Sequence, residues 1–302
     1  MAAIETIRYV LRRDIDQQLW DKCIDEAPNG LVYGYSAYLD CMADQWDGLV
    51  LNNYEAVMPL PYRKKFGIAY LYQPFLTAQL GIFGHGINSD MVKAFLDNIP
   101  SRYRLWEFSM NHHNLFTDTG YNIYPRSNYV LPLGKTYNEL SGAYREQTKR
   151  NSRKSVQYGC YVQKDIPVKE VMNLAEGQSG RDEGFDHFEH LYNDLYKNSK
   201  AVCYGVYTSD QMLVASCALL YSHQRIYYIL VGNHPNGRTL GASHAMIDHI
   251  IRDHAGSGLL LDFEGSDHRN LAFFYSSFGA KEEIYAAIRM NRLPWYARIF
   301  KS

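Results

Sequence analysis

The chain has 302 residues and a formal net charge of -1. Because this length exceeds one typical hydrophobic core, we expect two domains of about 150 residues each. Hydrophobic residues make up 46% and charged residues 21% of the chain, which argues against long disordered regions. The balanced charge excludes a global attraction to nucleic acid or to an anionic membrane, so any basic site must be local.

The start of the chain and the cysteines indicate its compartment. Residues 1–8 lack the basic and apolar regions of a secretion signal, and nowhere do 18 uncharged apolar residues run together. We therefore expect a cytoplasmic protein that does not insert into a membrane. The five cysteines are scattered and never form a C-x-x-C pair, which argues against a disulfide framework and a zinc site. They are expected to be reduced and mostly buried.

In the first half, two helices precede a run of strands. Asp14 and Ser36 can each cap a helix, the first of which runs to about Glu26. Pro59 and Pro61 indicate that the strand carrying them is bulged or lies at an edge. The other expected elements are strands at 49–52, 55–62 and 68–72, a helix at 89–98, a strand at 103–109, a short helical or looped piece at 114–118, and a strand pair at 121–133.

The second half has the same order of elements. We expect a helix at 185–197, a three-strand antiparallel meander at 202–207, 212–221 and 226–231, a helix at 240–254, a strand at 259–263, a helix at 270–277 and a strand at 283–290. The run 105–109, followed by Asn114 and Gly120, is echoed by the run 261–264, followed by Asn270 and Gly279. These echoes indicate an internal duplication.

A turn rich in small residues precedes the helix at 240–254. It consists of Gly237, Arg238, Thr239, Leu240, Gly241, Ala242 and Ser243. Small residues let backbone N–H groups approach a ligand, and a helix N-terminus favours an anion such as pyrophosphate. The turn resembles motif A of the GNAT acyltransferases, with Arg238, Gly241 and Ser243 in its three defining positions. This resemblance implies acyl-CoA as the donor, whereas a helix cap with small residues for packing is the structural alternative.

The helix at 270–277 carries a second resemblance. GNAT enzymes have a late helix with a Tyr four residues before a Gly, as Tyr275 and Gly279 are here, and the resemblance implies that this phenol protonates the leaving thiolate. The run is also similar to the F-K-x-x-F-G of the FemAB-like peptidyltransferases, with Phe274 and Phe278 in place and Tyr275 where Lys would stand. A purely structural helix is the alternative.

Further segments extend the FemAB resemblance over most of the chain. A strand ends in Pro-Leu shortly before Arg63, and the run 129–133 leads into a basic segment, as in double-GNAT proteins. The resemblance implies an α/β (α+β) protein with two tandem GNAT-like domains, at 1–134 and 135–302, each a mixed, mostly antiparallel sheet flanked by helices. It also implies Arg63 as a substrate contact and aminoacyl-tRNA as a possible donor.

The basic segment contains five cations on about two helical faces: Arg145, Lys149, Arg150, Arg153 and Lys154. Such a surface can bind the phosphates of RNA or of a nucleotide-linked substrate. A solvated helix is the alternative. His187 and His190 lie at i, i+3, not at the i, i+4 spacing of zinc proteases, so we expect no metal.

Acyl transfer to an amine needs a base, an oxyanion donor and an acid. We predict Glu264 as the base because it ends a strand beside the expected cleft, and Tyr275 as the acid. Backbone amides near Val231 and Gly232, just past the central strand, are the predicted oxyanion donors.

The predicted function is therefore N-acyl transfer from acyl-CoA or aminoacyl-tRNA to an amine on a small molecule or peptide. Two alternatives remain open at this point. One is a non-catalytic binding protein that keeps a double GNAT fold with a cleft rich in tyrosine, of which the chain has 26. The other is aminoacylation of a peptidoglycan precursor from charged tRNA.

Overall fold

The computed structural model describes residues 6–179, 184–265 and 267–293. The chain forms two compact units. Unit 1 contains the residues up to Arg126 together with those from Ile284 onward, and unit 2 is Ser127–Glu283. The units therefore lie close to the predicted division at 134/135 but do not coincide with it, because each one includes a strand from the other half of the sequence.

Unit 1 is a mixed sheet with helices. Its elements are β1 (Ile7–Val10), α1 (Gln17–Glu26), α2 (Ser36–Met42), β2 (Trp46–Leu51), β3 (Ala56–Lys65), β4 (Ile68–Tyr72), β5 (Phe83–Gly84), α3 (Ser89–Asp97) and β6 (Tyr103–Met110). Its strands run in the order β1-β2-β3-β4-β6, and β13 (Lys281–Asn291) follows β6. Among the strands that the structure describes in unit 1, β4 and β6 are the parallel pair, and β5 pairs with β3.

Most expected elements of unit 1 are confirmed, with four corrections. Helix α1 is capped by Asp16, not by Asp14, because Asp14 belongs to a preceding 3-10 turn. Ser36 is the first residue of α2, and its hydroxyl donates to Asp21 instead of capping. The piece expected at 114–118 is a 3-10 turn over His112–Asn114. The expected strand pair at 121–133 is one strand, because the run 125–128 stays extended despite its turn-forming residues.

The two prolines of β3 lie where the strand has a free edge. β3 pairs with β2 from Ala56 to Pro61, whereas β4 begins to pair only at Tyr62. Because β5 reaches only Ala56 and Val57, no described strand pairs with the second edge at Pro59 and Pro61. The missing proline N–H groups therefore cost no ladder hydrogen bond, as the sequence predicted.

Unit 2 repeats the order of elements. After β7 (Ile123–Pro132) come α4 (Tyr137–Gly142), α5 (Glu146–Gln157), β8 (Tyr161–Lys164), α6 (Val168–Ser179), α7 (Phe185–Lys197), β9 (Ala201–Tyr207), β10 (Leu213–Ser222), β11 (Arg225–Asn233), α8 (Pro235–Leu240), α9 (Ala242–His254), β12 (Leu260–Asp262) and α10 (Arg269–Ser276). The sheet order is β7-β12-β11-β10-β9-β8. β8 and α6 were not predicted, but the duplication is confirmed.

Helices cover both faces of the unit 2 sheet. On one face, α9 buries Met246, Ile247 and Ile250 against β9, β10 and β11. On the other face, α6 approaches so closely that a Cβ on Gly232 would lie 2.8 Å from Leu174 Cβ. All five cysteines of the chain are free thiols and four are buried, as predicted. Within the described ranges, no helix is long and apolar enough to cross a bilayer.

Candidate active site

The parallel strands β11 and β12 separate soon after they meet. Three residues of β11, ending at Tyr227, pair with β12, and from Tyr228 to Asn233 no described strand pairs with this edge of β11. A β-bulge lies at the same place, because the register with β10 skips Ile229. A bulge leaves its extra residue outside the ladder. We call this unpaired side of β11, from Tyr228 to Asn233, its open edge.

Strand pairing decides which amides face this open edge. His234 N–H donates to Val214 O at 3.1 Å, and Gly232 lies opposite Ser216, two positions along the same ladder. Residue pairs of an antiparallel ladder alternate between bonded and non-bonded types. The Gly232 N–H therefore points towards β10, and the Val231 N–H points away from it. Of the two predicted oxyanion donors, Val231 is the one on the open edge.

The predicted donor turn consists of a short helix, a glycine and the start of α9. Gly237 lies in α8, and Gly241 adopts a left-handed backbone with φ 73° between α8 and α9. A Cβ at Gly237 would lie 2.2 Å from Val214 O, and one at Gly241 would lie 2.3 Å from Asn151 O. Both glycines are therefore required by close packing of protein backbone. Their N–H groups donate to His234 O and Arg238 O, respectively.

The other residues of the turn differ in exposure. Arg238 and Thr239 are exposed, Leu240 is half-buried and Ala242 is buried. The Ser243 hydroxyl donates to Asn233 Oδ1 at 2.6 Å. No side chain caps the start of α9, and the first amides of a helix lack intrahelical partners. This helix start can therefore attract an anion, with Arg238 in the turn before it.

His244, in the first turn of α9, is a site residue that sequence reasoning missed. Its ring centroid lies 4.8 Å from that of Phe274, and its Nε2 lies 3.2 Å from Asn151 Nδ2. Burial lowers the pKa of His244 to about 4, so the ring is neutral at pH 7. The three histidines of α9 share no face, so no pattern in the sequence distinguishes this one.

Glu264 lies in a tight turn directly after β12. It is a non-glycine residue with φ 66°, a conformation that costs free energy unless its surroundings impose it. Glu264 N–H donates to Asp262 Oδ1 at 2.9 Å, and Gly265 N–H donates to Asn128 Oδ1 at 2.6 Å. These two bonds hold the turn and so position the predicted base.

A cluster of buried charged and polar side chains supports the turn that carries Glu264. We call it the Arg225 cluster: Arg225, Asp262, Glu283 and Asn128. The Arg225 guanidinium is 2.8 Å from Asp262 and 2.7 Å from Glu283, and Asn128 Nδ2 donates to Asp262 at 2.9 Å. Burial raises the pKa of Asp262 despite the adjacent guanidinium. Because every member is paired, the cluster is a rigid support for Glu264.

Tyr275 of α10 lies against the end of β12. Its ring stacks on Phe263, with centroids 4.5 Å apart and an interplanar angle of 17°. Burial, with a smaller contribution from the charge of Glu264, raises the pKa of Tyr275 to about 12. The Tyr275 hydroxyl has no hydrogen-bond partner among the described residues, but the protein does not enclose it completely. The phenol is therefore neutral at pH 7, and the side chain is only slightly accessible to solvent.

The basic segment covers one side of the α9 start, since Asn151 of α5 contacts Gly241. Arg145 precedes α5 as its N-cap residue, and its guanidinium lies 4.3 Å above the ring of Phe273. Lys149 Nζ is 2.9 Å from Glu146. The remaining cations are the exposed Arg150 and Arg153 and the half-buried Lys154, whose ammonium lies 5.6 Å from the ring centre of Tyr158.

Arg63 belongs to unit 1 and has a protein partner. Its guanidinium donates to both carboxylate oxygens of Asp44, at 2.7 and 2.8 Å, and lies 4.4 Å from the ring centre of Tyr72. These hydrogen bonds lower the pKa of Asp44 below its usual value. The arrangement gives Arg63 a structural role, and its predicted contact with substrate stays a prediction. No group of three or more His, Cys, Asp or Glu among the described residues could hold a metal ion.

Comparison with known protein families found a match within unit 2. The acetyltransferase (GNAT) domain model matches residues 143–269, from the end of α4 to the start of α10. This stretch is therefore similar in sequence to a GNAT acetyltransferase domain. This stretch contains the open edge of β11, the turn at 237–243 and Glu264, whereas Tyr275 lies just beyond its end. Comparison with curated proteins found no significant sequence match.

Solved structures extend the similarity to the whole chain. FemX has 13% identity and a TM-score of 0.65, covering 94% of this chain and 98% of its own. L-PGS from Bacillus licheniformis has 12% identity and a TM-score of 0.59, covering 95% of each chain. A tandem GNAT protein from the clavulanic acid biosynthesis pathway has 9% identity and a TM-score of 0.57, covering 96% and 99%. At these identities the likeness shows that the chain shares the fold of these proteins.

Proposed function

We propose that the chain is an N-acyltransferase that moves an acyl group from acyl-CoA to an amine of a small molecule or peptide. The observation that carries this proposal is the separation of β11 from β12, which leaves the Val231 N–H on an open edge. Glu264 and Tyr275 both follow β12, the strand that pairs with β11 as far as Tyr227. A donor amide, a carboxylate and a neutral phenol are the groups that acyl transfer requires.

The residues of the GNAT domain fit a phosphorylated thioester donor. The start of α9 has no side-chain cap, and the exposed Arg238 lies in the turn just before it. A helix N-terminus and a guanidinium both favour phosphate groups. The tightly packed glycines keep this turn fixed, so little ordering of the protein accompanies binding.

Each catalytic group has one task in this scheme. Val231 N–H donates to the carbonyl oxygen as the amine nitrogen attacks and the carbonyl carbon becomes tetrahedral. Glu264 accepts the amine proton, directly or through a water molecule. As the carbon–sulfur bond breaks, the Tyr275 hydroxyl donates its proton to the departing sulfur. The raised pKa of Tyr275 keeps the phenol protonated until that step.

The first test is binding. We expect calorimetry to detect acetyl-CoA or a longer acyl-CoA, and Arg238→Gln to weaken that binding about tenfold, which is the scale of one charge-assisted hydrogen bond. Arg13→Gln, which removes an exposed cation of unit 1, is the matched control and should leave acyl-CoA binding unchanged. If calorimetry detects no binding of any acyl-CoA, this donor is contradicted, and the non-catalytic alternative or a tRNA donor is favoured.

The second test is turnover, followed as thiol release from acyl-CoA in the presence of a panel of amines. We expect Tyr275→Phe to lower kcat about a hundredfold with KM little changed, because the ring still stacks on Phe263 while the proton donor is lost. Tyr121→Phe, which removes a phenol of unit 1 that donates to Asp97, should leave kcat unchanged. Equal rates for wild type and Tyr275→Phe would remove the acid role.

A tRNA-linked donor is the second candidate, and the exposed Arg150 and Arg153 favour it because they lie on α5 beside the α9 start. Filter binding of charged tRNA tests it. If the tRNA binds here, replacing Lys149 and Arg150 by Gln should lower its affinity and reduce the salt dependence by about two released counterions. Binding that ignores both substitutions would exclude α5 as the tRNA surface.

A further inference from the structure

The hairpin that joins β3 and β4 carries an unusual residue at its tip. Phe66 is 88% exposed and is the most exposed large hydrophobic side chain among the described residues. Lys65 pairs with Ile68, so Phe66 and Gly67 form a two-residue turn at the end of the hairpin. The side chain packs on no core, and the fold itself makes no use of it.

Turn chemistry does not account for Phe66 either. Its φ is 50° and that of Gly67 is 74°, so both central residues have the positive φ that type I′ hairpin turns require. Asn, Asp and Gly are the residues that favour these positions, and a bulky residue with positive φ is an outlier. An exposed aromatic side chain therefore occupies a position that both local conformation and solvation disfavour.

Unpaired cations surround this phenylalanine. Lys64 and Lys65 directly precede it, and the Lys65 ammonium lies 5.7 Å from the ring centre. β4 runs parallel to β6 with Ala69 opposite Tyr103, so Arg104 near the start of β6 belongs to the same end of the sheet. Lys64, Lys65 and Arg104 are exposed and have no ion pair with any described carboxylate. We call these three cations and Phe66 the tip surface.

The acids at this end of the sheet are already neutralised. Asp44 forms its ion pair with Arg63, and the buried Asp47 forms its ion pair with Arg102. The tip surface therefore presents net positive charge around one protruding aromatic ring. This charge is local, since the chain as a whole is nearly neutral.

We propose that the tip surface docks unit 1 onto an anionic lipid bilayer, with Phe66 entering the boundary between headgroups and acyl chains. Lysine and arginine near a bilayer surface are attracted to anionic headgroups, and an apolar side chain adds burial within the interface. The tip is convex and carries one aromatic residue. Single-stranded nucleic acid is bound in grooves with successive stacking residues, so a bilayer fits this shape better. The docking is weak and reversible because it uses one aromatic residue and three cations.

The experiment is flotation with vesicles of phosphatidylcholine alone or mixed with phosphatidylglycerol. We expect binding only to the mixed vesicles and a loss of binding in high salt. Phe66→Ser should lower the partition coefficient about tenfold, the scale of withdrawing one phenyl ring from an apolar environment. Lys64→Gln and Lys65→Gln should each lower it about fivefold. Phe66 packs on nothing, so these variants should unfold at the wild-type temperature.

A matched control separates the tip from exposed aromatics in general. Tyr158 is 59% exposed and lies beside Lys154 in unit 2, so Tyr158→Ser tests the same chemistry elsewhere. It should leave vesicle binding unchanged. A Phe66→Trp reporter should show blue-shifted fluorescence when mixed vesicles are added.

Several outcomes would overturn the proposal: no binding to mixed vesicles, binding that survives Phe66→Ser, or equal losses for Phe66→Ser and Tyr158→Ser. Loss of tRNA binding in Phe66→Ser would assign the tip to nucleic acid instead. Acyl-CoA binding and thiol release should be the same in Phe66→Ser and wild type. The membrane proposal and the transferase proposal can therefore fail independently.

Discussion

The two units share an order of elements, and one difference between them lies where the last meander strand meets the next parallel strand. In unit 1, β4 stays paired with β6 to its last residue, Tyr72, and Leu80 then forms a further bridge to Met110. The following helix, α3, is capped by the Asn88 side chain. In unit 2, β11 leaves β12 early, and α9 starts at a glycine without a side-chain cap.

This difference teaches that the repeated fold and the chemistry are separate properties. In unit 1, β4 stays paired with β6 and the start of α3 is capped, so the backbone groups at this place already have partners. In unit 2, the edge of β11 is unpaired and the start of α9 has no side-chain cap. The match to the GNAT domain model, which is confined to residues 143–269, follows the same division. Function is carried by the site that a fold presents and not by the fold itself.

The largest expected difference between the units is the free energy of unfolding that is lost when an ion-paired arginine is removed. Arg225→Met should lower the free energy of unfolding by about 3 to 5 kcal/mol, because it leaves Asp262 and Glu283 without their buried counter-charge. Arg63→Met breaks an ion pair of unit 1 whose side chains are 39% and 51% exposed, so the loss should be at most about 1 kcal/mol. Urea unfolding of both variants measures the comparison, and equal losses would show that the Arg225 cluster is not a special support for the site.

A second comparison uses glycines with the same backbone conformation. Gly241→Ala and Gly67→Ala both place a Cβ at φ near 74°, which costs about 1 kcal/mol in either unit. At Gly67 the new atom meets open space, but at Gly241 it lies 2.3 Å from Asn151 O. We expect Gly241→Ala to cost about 2 kcal/mol more in thermal or urea unfolding and to weaken acyl-CoA binding. Equal losses of unfolding free energy for the two variants would mean that α5 moves aside easily and does not hold the turn at 237–243 in place.

The smallest expected effect is the pH dependence that His244 confers on unit 2. Its pKa is about 4 in the folded chain, against about 6.5 when unfolded, so the unfolded state binds more protons between these values. The contribution of a neutral His244 is fully present above pH 6.5 and is lost as the pH falls towards 4. Discounted for partial exposure, the loss is about 2 kcal/mol. His244→Asn should flatten that slope in unfolding experiments between pH 4.5 and 7, and an unchanged slope would contradict it.

Much of the fold could be predicted because its signals are local. The meanders, the helix over 242–254 and the repeat of elements follow from hydrophobic periodicity and from short turns. The proline pair of β3 also indicated a free edge correctly. The exchange of the last strands could not be foreseen, since β7 and β13 have similar patterns and nothing local states which sheet each one joins.

The site was less predictable for physical reasons. Spacing drew attention to the turn at 237–243, but the contacts of Gly237 and Gly241 with other backbone segments depend on tertiary packing. The direction of the Val231 N–H follows from ladder register, which a sequence does not display. Asn128 lies far along the chain from the turn that carries Glu264, and Glu283 belongs to a different strand, so the sequence did not show their role in holding the base. The assignments of Glu264 and Tyr275 stay predictions until turnover is measured.

The exchanged strands have a consequence for how the protein forms in the cell. β13, which completes the sheet of unit 1, leaves the ribosome later than every other strand that the structure describes and after nearly all of unit 2. Until then β6 has an unpaired edge, and pairing across nearly two hundred residues of intervening chain is slow. During synthesis, the unpaired edge of β6 is therefore exposed for many seconds and can pair with other chains. We expect nascent chains to depend on chaperones that cover this edge.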